Sequence, residues 1–274
     1  MDYLEEIDYT VPGFGELYDE LPLWSAPFGM LLLERIPIRR GITILDVGAG
    51  TGFLTLELAQ RCGPTATVIA VDPWASGMDR LRHKLNWLGL DNVELIEGDA
   101  AGLDLPDSSV DVVVSNLGIN NFESPEAVLR TCWRVMKADG RLLLTTNLVG
   151  HMQEFYDIYR DTLIDLALGD RLAALEAHID HRGTVDSVTR LLEGCGLKVT
   201  DVTTDSFRMR FADGSCLLRH YLIRLGFVSA WKAILPAASI ASTFKELERR
   251  LDAEAARRGE LSLTVPVACF EARK

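Results

Sequence analysis

The feature that most constrains the fold is an apolar run that breaks into three closely spaced glycines and then continues with helical spacing. Thr43 to Val47 has the composition of a buried strand, and Gly48, Gly50 and Gly52 follow before a leucine-rich helix begins. A strand, a tight turn and a helix N-terminus bring several unpaired backbone N–H groups together. Glycine suits such a turn because it tolerates positive φ and has no Cβ to keep a ligand away. The pattern predicts a ligand-binding turn at the mouth of a parallel sheet.

The spacing of the glycines bears on which ligand binds. In the dinucleotide fingerprint GxGxxG, the third glycine lies five positions after the first and allows close packing of helix on strand. Here that position is Phe53, and the third glycine comes one residue early at Gly52. The match to a pyrophosphate-binding turn is therefore poor. A GxGxG turn preceded by the acidic Asp46 instead resembles motif I of the class I S-adenosylmethionine-dependent methyltransferases.

This resemblance implies that the turn wraps the methionine and ribose parts of S-adenosylmethionine. The residues it assigns to the cofactor here are Asp46, Gly48, Ala49, Gly50 and Gly52. The alternative is a glycine-rich corner between strand and helix that binds nothing.

The next strand ends in a second acidic residue. Thr67 to Val71 is β-branched and apolar and leads into Asp72, twenty residues after Gly52, about where a ribose-binding acid follows a nucleotide turn. The alternative role for Asp72 is a helix N-cap or a solvated strand end. Pro73 and Trp74 follow, and we interpret Trp74 either as an aromatic flank for adenine or as core.

Two further strand ends repeat the arrangement. Asn92 to Ile96 precedes Gly98-Asp99-Ala100, a segment that the resemblance assigns to adenine, with Asp99 accepting from the exocyclic amine and the Ala100 N–H donating to the ring. A glycine–aspartate pair by itself is usually a turn. The fourth strand, Val110 to Val114, continues into residues expected to face the cofactor and the acceptor, because ligands of open α/β sheets bind outside the carboxyl ends of the strands. We assign Asn116, Leu117 and Gly118 to the cofactor, and Asn120 and Asn121 to the acceptor.

The block from Leu105 to the turn at Gly140 is similar to the small-molecule methyltransferases that include ubiquinone/menaquinone and biotin-pathway enzymes. The resemblance covers about residues 44–146. Together with the βαβα alternation, it implies an α/β fold: a doubly wound, mostly parallel, Rossmann-like sheet of seven strands with an antiparallel final strand and helical lid insertions. Many of that group carry histidines or aromatics after the fourth strand, whereas this chain has Asn120-Asn121-Phe122. The acceptor is therefore not inferred from those enzymes.

The predicted organisation has an N-terminal helical, aromatic lid segment, residues 1–40, and a methyltransferase domain, residues 41–274, with helical insertions at about 147–183 and 212–260. The leader contains the aromatic residues Tyr3, Tyr9, Phe14, Tyr18, Trp24 and Phe28. We predict that Trp24 and Phe28 contact the acceptor. The alternative is that the aromatics anchor extra helices on the sheet.

The insertions supply the remaining candidates. Met152 to Leu168 has helical spacing, and His151 and Tyr156 near its start are candidates for a general base or for orienting the acceptor; the alternative is a surface histidine and a packing tyrosine. Leu217 to Leu225 and Thr243 to Ala256 are predicted helices, the latter opened by Thr243-x-x-Glu246 and ended by Gly259. This last insertion either closes the acceptor pocket or forms a homodimer contact. Its cationic residues suggest an anionic acceptor: Arg208, Arg210, Arg219 and His220.

Composition limits the partners. The 274 residues include 48% hydrophobic residues and carry a net charge of −12, which argues against nucleic acid as a partner. The five cysteines have no CxxC spacing, and His178 and His181 lack an accompanying carboxylate motif, so we expect reduced thiols, a cytoplasmic protein and no metal site. No secretion signal or membrane-spanning stretch is expected.

Methyl transfer from S-adenosylmethionine is an in-line displacement on an electrophilic methyl group, which leaves S-adenosylhomocysteine. The enzyme contributes mainly alignment and exclusion of water, so a dedicated base is optional and no catalytic residue is assigned. We expect transfer to a small-molecule acceptor. The alternatives are a non-catalytic S-adenosylmethionine-binding protein and an NAD-binding oxidoreductase.

Overall fold

A computed structural model describes residues 1–8, 11, 13–19, 21 and 23–274, so the predicted role of Tyr9 lies outside the described residues. The chain divides into two compact units, which are described separately. The sheet unit consists of Thr10–Asn147, Thr184–Asp205 and Val267–Lys274. The insertion unit consists of Met1–Tyr9, Leu148–Gly183 and Ser206–Pro266.

Seven strands form one sheet in the order β3-β2-β1-β4-β5-β7-β6. Their bounds are β1 Thr43–Val47, β2 Thr67–Asp72, β3 Val93–Glu97, β4 Val110–Asn116, β5 Met136–Asn147, β6 Lys198–Phe211 and β7 Leu261–Arg273. Strands β1 to β5 pair in parallel, and β7 runs antiparallel to β5. The strand order reverses between β1 and β4. The predicted doubly wound, mostly parallel sheet is confirmed.

Helices surround the sheet. Those of the sheet unit are α1 Phe14–Asp19, α2 Ala26–Leu33, α3 Phe53–Cys62, α4 Ala75–Leu88, α5 Pro125–Val135 and α8 Val185–Gly194. Ile44 and Leu45, which are consecutive in β1 and point to opposite faces, are both fully buried. A parallel sheet covered by helices on both faces requires this, which explains the continuous apolar runs of the central strands.

The insertion unit has its own aromatic core. Its helices are α6 Gln153–Asp165, α7 Leu172–Asp180, α9 Gly214–Arg219, α10 Tyr221–Ile223, α11 Ser229–Ala233 and α12 Ile240–Arg258. Phe155 of α6 stacks on Trp231 of α11 with ring centroids 3.9 Å apart. The Tyr159 hydroxyl donates to the Trp231 carbonyl at 2.9 Å. This core explains why apolar residues recur through both insertions.

Several predicted boundaries are wrong. The segment predicted as one helix, Leu217 to Leu225, is interrupted because His220 is extended, with ψ 127°. Helix α12 begins three residues before Thr243, so that residue lies inside the helix with a buried hydroxyl rather than capping it. Its predicted end is confirmed, because Gly259 is left-handed with φ 88°. Gly140, predicted as a turn, already belongs to β5, where Met136 pairs with Val110 before a shift in register.

Candidate cofactor site

In the glycine turn after β1, one glycine allows close packing and another faces open space. All three glycines have positive φ, 80° at Gly48, 54° at Gly50 and 88° at Gly52. A Cβ at Gly52 would lie 2.2 Å from the Cδ1 atom of Leu81 in α4, so this glycine permits close packing of helices. A Cβ at Gly50 would meet no atom within 4 Å. The space at Gly50 is therefore open to a ligand.

Asp72 lies beside that open space. Its Oδ2 atom accepts from the Gly50 N–H at 2.9 Å, and its Oδ1 atom accepts from the Trp74 N–H at 2.8 Å. Burial raises the pKa of Asp72, while these two N–H groups lower it. A carboxylate offers about four lone-pair positions. Each oxygen thus keeps capacity for one more donor, which suits a pair of neighbouring hydroxyl groups.

Asp46 lies beneath the turn and is only 1% exposed. The Thr55 hydroxyl of α3 donates to its Oδ2 atom at 2.6 Å. Burial raises the pKa of Asp46 to about 7, opposed by the Thr55 hydrogen bond and assisted by the negative charge of Asp72. The two acidic strand ends are therefore electrostatically coupled. Thr55 was missed from the sequence because its neighbours predict only an apolar helix.

At the end of β3, Asp99 caps its own turn. Its carboxylate accepts from the Ala101 N–H at 2.9 Å, and Ala100 is buried. The Gly98 N–H donates to the Asp72 carbonyl at 3.1 Å, so this segment lies next to the end of β2. The structure thus brings Asp99 near Asp72, while its predicted contact with adenine stays a prediction.

The ends of β1 and β4 meet through glycines. A Cβ at Gly48 would lie 3.0 Å from the Cα atom of Gly118, and a Cβ at Gly118 would lie 2.8 Å from the Val47 carbonyl oxygen. Leu117 before it adopts positive φ, 66°. This is the point at which the strand order reverses, where open α/β sheets bind their ligands. The predicted cofactor residues of both strands therefore line one crevice.

Amide and hydroxyl side chains lie at the carboxyl ends of β4 and β5. Asn116 accepts from the Thr145 hydroxyl at 2.8 Å and donates to the Ser25 carbonyl at 3.1 Å. Asn120 donates to the Asn147 side-chain oxygen at 2.9 Å, and Asn121 is exposed. Thr145, Thr146 and Asn147 were missed from the sequence, although three polar residues ending the apolar run of β5 were a usable signal.

Comparison with known proteins agrees with this geometry. Residues 45–144, from within β1 into β5, match the methyltransferase domain family. This part of the chain is therefore similar to a methyltransferase domain. A ubiquinone/menaquinone biosynthesis C-methyltransferase from Escherichia fergusonii is 34% identical to it over 126 residues, which cover 44% of this chain and 50% of that protein. The chain therefore spans about half the length of the curated relatives it matches.

Solved structures share the fold of this chain. The YcgJ protein from Bacillus subtilis has a TM-score of 0.61 at 18% identity, covering 91% of this chain and 98% of that one. A SAM-dependent methyltransferase from Aquifex aeolicus has a TM-score of 0.52 at 22% identity, covering 70% and 92%. At these identities the likeness shows a common fold.

Aromatic residues of the leader pack within the sheet unit. Tyr18 of α1 meets the Trp74 ring edge-on, with centroids 5.2 Å apart. In α2, Phe28 is buried and its ring lies 5.4 Å from that of half-buried Trp24. The ring of Phe53 lies so close to α2 that a Cβ at Gly29 would be 2.3 Å from it. Phe53, at the position of the third dinucleotide glycine, therefore contacts the leader.

His151 and Tyr156 belong to the insertion unit and are not on the surface. The Tyr156 hydroxyl lies 3.1 Å from His178 Nε2 and accepts from the Trp231 indole N–H at 3.2 Å. The packing interpretation of Tyr156 fits these contacts. His151 is 1% exposed, so the surface interpretation is wrong, and burial lowers its pKa. His178 is half-buried, and burial lowers its pKa to about 4.

Two arginines of the last insertion form ion pairs with carboxylates. Arg210 is bonded to Glu260, and Arg219 is bonded to Glu248 at 2.6 Å. These partners neutralise two of the charges that suggested an anionic acceptor. In the part of the chain that the structure describes, no group of three candidate ligands could hold a metal ion. Over the same residues, no helix has the length and apolar character required to cross a bilayer.

A cavity of about 520 Å³ lies at the other end of β4 and β5, lined by residues that include Arg39, Asp111 and Lys137. It is at the start of these strands, whereas ligands of such sheets bind at the carboxyl ends. Asp111 is also paired with Lys137 at 3.0 Å and with Arg39 at 3.2 Å. We therefore assign the cofactor crevice, and not this cavity, as the candidate site.

Proposed function

We propose that the protein binds S-adenosylmethionine at the carboxyl ends of β1, β2 and β4 and catalyses methyl transfer to a small-molecule acceptor. The observation that carries the proposal is the Asp72 carboxylate, fixed by the Gly50 and Trp74 N–H groups beside the open face of the glycine turn. It suits the two ribose hydroxyls, which are neighbouring donors. Asp99 and Ala100, next to the end of β2, are assigned to adenine.

Charge also favours this cofactor. Its sulfonium and ammonium groups are cationic, and the Asp72 carboxylate lies against the Gly50 N–H of the turn. A nicotinamide dinucleotide would instead bring a pyrophosphate dianion to the same turn. The Asp72 carboxylate would oppose it, because like charges at short range are unfavourable in a partly buried site. The charge at the turn therefore supports the sulfonium compound over the dinucleotide.

We assign the binding of the acceptor to amide side chains at the carboxyl ends of β4 and β5. Asn120 donates to Asn147, and the Thr146 hydroxyl donates to Asn120. These groups are uncharged, so they orient an acceptor by hydrogen bonding and do not remove a proton. S-adenosylmethionine supplies the electrophilic methyl group when bound. The chain's contribution is alignment and exclusion of water, which suits an acceptor that is nucleophilic without a dedicated base.

Binding and turnover are tested separately. Asp72→Ala removes the acceptor of two backbone N–H groups and of the proposed ribose bonds. Hydrogen bonds to charged groups contribute about 1.5–3 kcal/mol each, so we expect the variant to bind S-adenosylhomocysteine roughly 100-fold more weakly. Calorimetry measures this, and circular dichroism checks that the variant is folded. Equal affinities of a folded variant and the wild type would contradict the assignment of Asp72.

Turnover is measured by transfer of labelled methyl from S-adenosylmethionine to a panel of phenols, enols, amines and ring carbons of quinols, with nucleic acid and protein as controls. The quinol is included because a similar protein is a ubiquinone/menaquinone biosynthesis C-methyltransferase. Transfer to a small molecule supports the proposal. Binding without transfer to any of them supports the non-catalytic alternative, and quenching or enhancement of nicotinamide fluorescence on titration supports the oxidoreductase.

A cytoplasmic location and a homodimer complete the proposal. All five cysteines are free, and four are buried, in keeping with a reducing compartment. Light scattering of the purified protein tests the dimer, because a mass near twice 30.4 kDa is expected. A mass of one chain at working concentration would contradict it.

A further inference from the structure

The carboxylate of Asp19, the last residue of α1, is a junction between the leader and the cofactor site. It accepts from Lys84 Nζ at 2.7 Å and from Arg80 Nε at 3.0 Å, two residues one turn apart on α4. Burial raises the pKa of Asp19, but hydrogen bonds from Lys84, Arg80 and the Thr51 hydroxyl outweigh it and lower the pKa. Thr51 lies between Gly50 and Gly52. One side chain thus joins α1, α4 and the glycine turn.

The rest of α1 is also fitted to this position. The Gly15 N–H donates to the Ser76 hydroxyl at 3.2 Å, and a Cβ at Gly15 would lie 2.5 Å from the Ser76 carbonyl oxygen. Only a residue without a side chain allows this approach. Tyr18 meets Trp74 edge-on, and burial together with the charge of Asp72 raises the pKa of the Tyr18 hydroxyl. Helix α1 therefore lies against the group proposed to bind ribose.

We propose that Asp19 is a positioning residue that fastens α1 over the Asp72 side of the crevice, so that release of the cofactor requires the Asp19 ion pairs to break. The inference rests on the proposed function, because it names a control of cofactor exchange at that same site. It assigns the leader a kinetic role through one identified carboxylate.

The surroundings of Asp19 distinguish it from an ordinary surface ion pair. The side chains of Asp19, Lys84 and Arg80 are 19%, 19% and 28% exposed, so solvent screens them only in part. By contrast, Arg82 on the same helix pairs with Asp79 three residues away, and these side chains are 47% and 63% exposed. Asp19 is more than sixty residues from its partners in the chain. Its pairs therefore hold two separate segments together.

The experiment measures release of tritiated S-adenosylhomocysteine from the full chain after addition of excess unlabelled ligand. Asp19→Asn keeps a hydrogen-bond acceptor but removes the charge. We expect its dissociation rate constant to rise about tenfold, with a smaller change in the association rate constant. The matched control is Arg82→Met, which removes a cation from the same helix and is expected to release ligand at the wild-type rate. Higher salt should accelerate release from the wild type more than from Asp19→Asn.

A second variant distinguishes the loss of the ion pair from a general loss of folding. Lys84→Met should accelerate release in the same direction, and the double variant with Asp19→Asn should release no faster than Asp19→Asn alone, because coupled partners are not additive. If folded Asp19→Asn and folded Lys84→Met both release the ligand at the wild-type rate, this inference is wrong, while the proposed function is unaffected. No binding of S-adenosylhomocysteine by the wild type would overturn the proposed function and this inference with it.

Discussion

At the scale of single residues, the two carboxylates of the cofactor turn have different surroundings. Asp46 is fully buried against Thr55, whereas Asp72 is half-buried and holds two backbone N–H groups. The sequence indicated both as acids at strand ends, because an acid after an apolar run stands out. It did not indicate which is buried, since that depends on α3 packing over β1. Thr55 looks like any polar residue of a helix until that packing is known.

Asp46 leads to a prediction about pH. Its pKa in the folded protein is about 7, above the ordinary 3.8, so folding favours the protonated form. The stability contributed by this proton is fully present below pH 3.8 and is lost as pH rises through 7. Asp46→Asn keeps an acceptor for Thr55 and does not titrate. We expect the variant to gain stability relative to wild type from pH 4 to pH 8, by up to about 4 kcal/mol.

Urea unfolding of the two proteins at several pH values measures this difference. The exposed Asp161→Asn is the control for the general effect of replacing a carboxylate by an amide. If the difference between Asp46→Asn and wild type does not change with pH, the carboxyl group of Asp46 does not titrate near neutrality and the account of its burial is wrong.

At the scale of elements, the glycine turn contains one glycine that faces open space for a ligand and one that allows a helix to pack closely. A Cβ at Gly50 enters open space, while a Cβ at Gly52 meets the fully buried Leu81 of α4. We expect Gly50→Ala to weaken binding of S-adenosylhomocysteine at least tenfold with a small loss of stability. Gly52→Ala should destabilise the fold by about 1–3 kcal/mol through overpacking. Calorimetry and urea unfolding of both variants test the pair, and the reverse pattern would contradict the assignment.

The same scale shows what sequence patterns can predict. Strands β1 to β4 were predicted to within two residues, because buried parallel strands are continuous apolar runs bounded by turn residues. Strand β6 runs to Phe211, and its many exposed polar residues hide the strand pattern in the sequence. The bounds of helix α1 were not predicted within the helical leader, since six residues are too few to show a helical period. Its place beside Asp72 depends on contacts with α4.

At the scale of the whole molecule, the predicted insertions have a structural counterpart. Residues 148–183 and 206–266 join the first nine residues in one compact unit, while the remainder of the leader belongs to the sheet unit. The sequence indicated both insertions, because long apolar-periodic segments separated the last strands. It did not indicate that they share a core, since the stacking of Phe155 on Trp231 joins residues far apart in the chain. The lid role of these segments stays a prediction.

The most direct test is calorimetric titration of the wild-type protein with S-adenosylhomocysteine at neutral pH, with NAD titrated under the same conditions. We predict saturable binding of one S-adenosylhomocysteine per chain with micromolar affinity, and no measurable binding of NAD. Folded protein that does not bind S-adenosylhomocysteine, or that binds NAD in its place, would contradict the assignment of the crevice at Gly50 and Asp72.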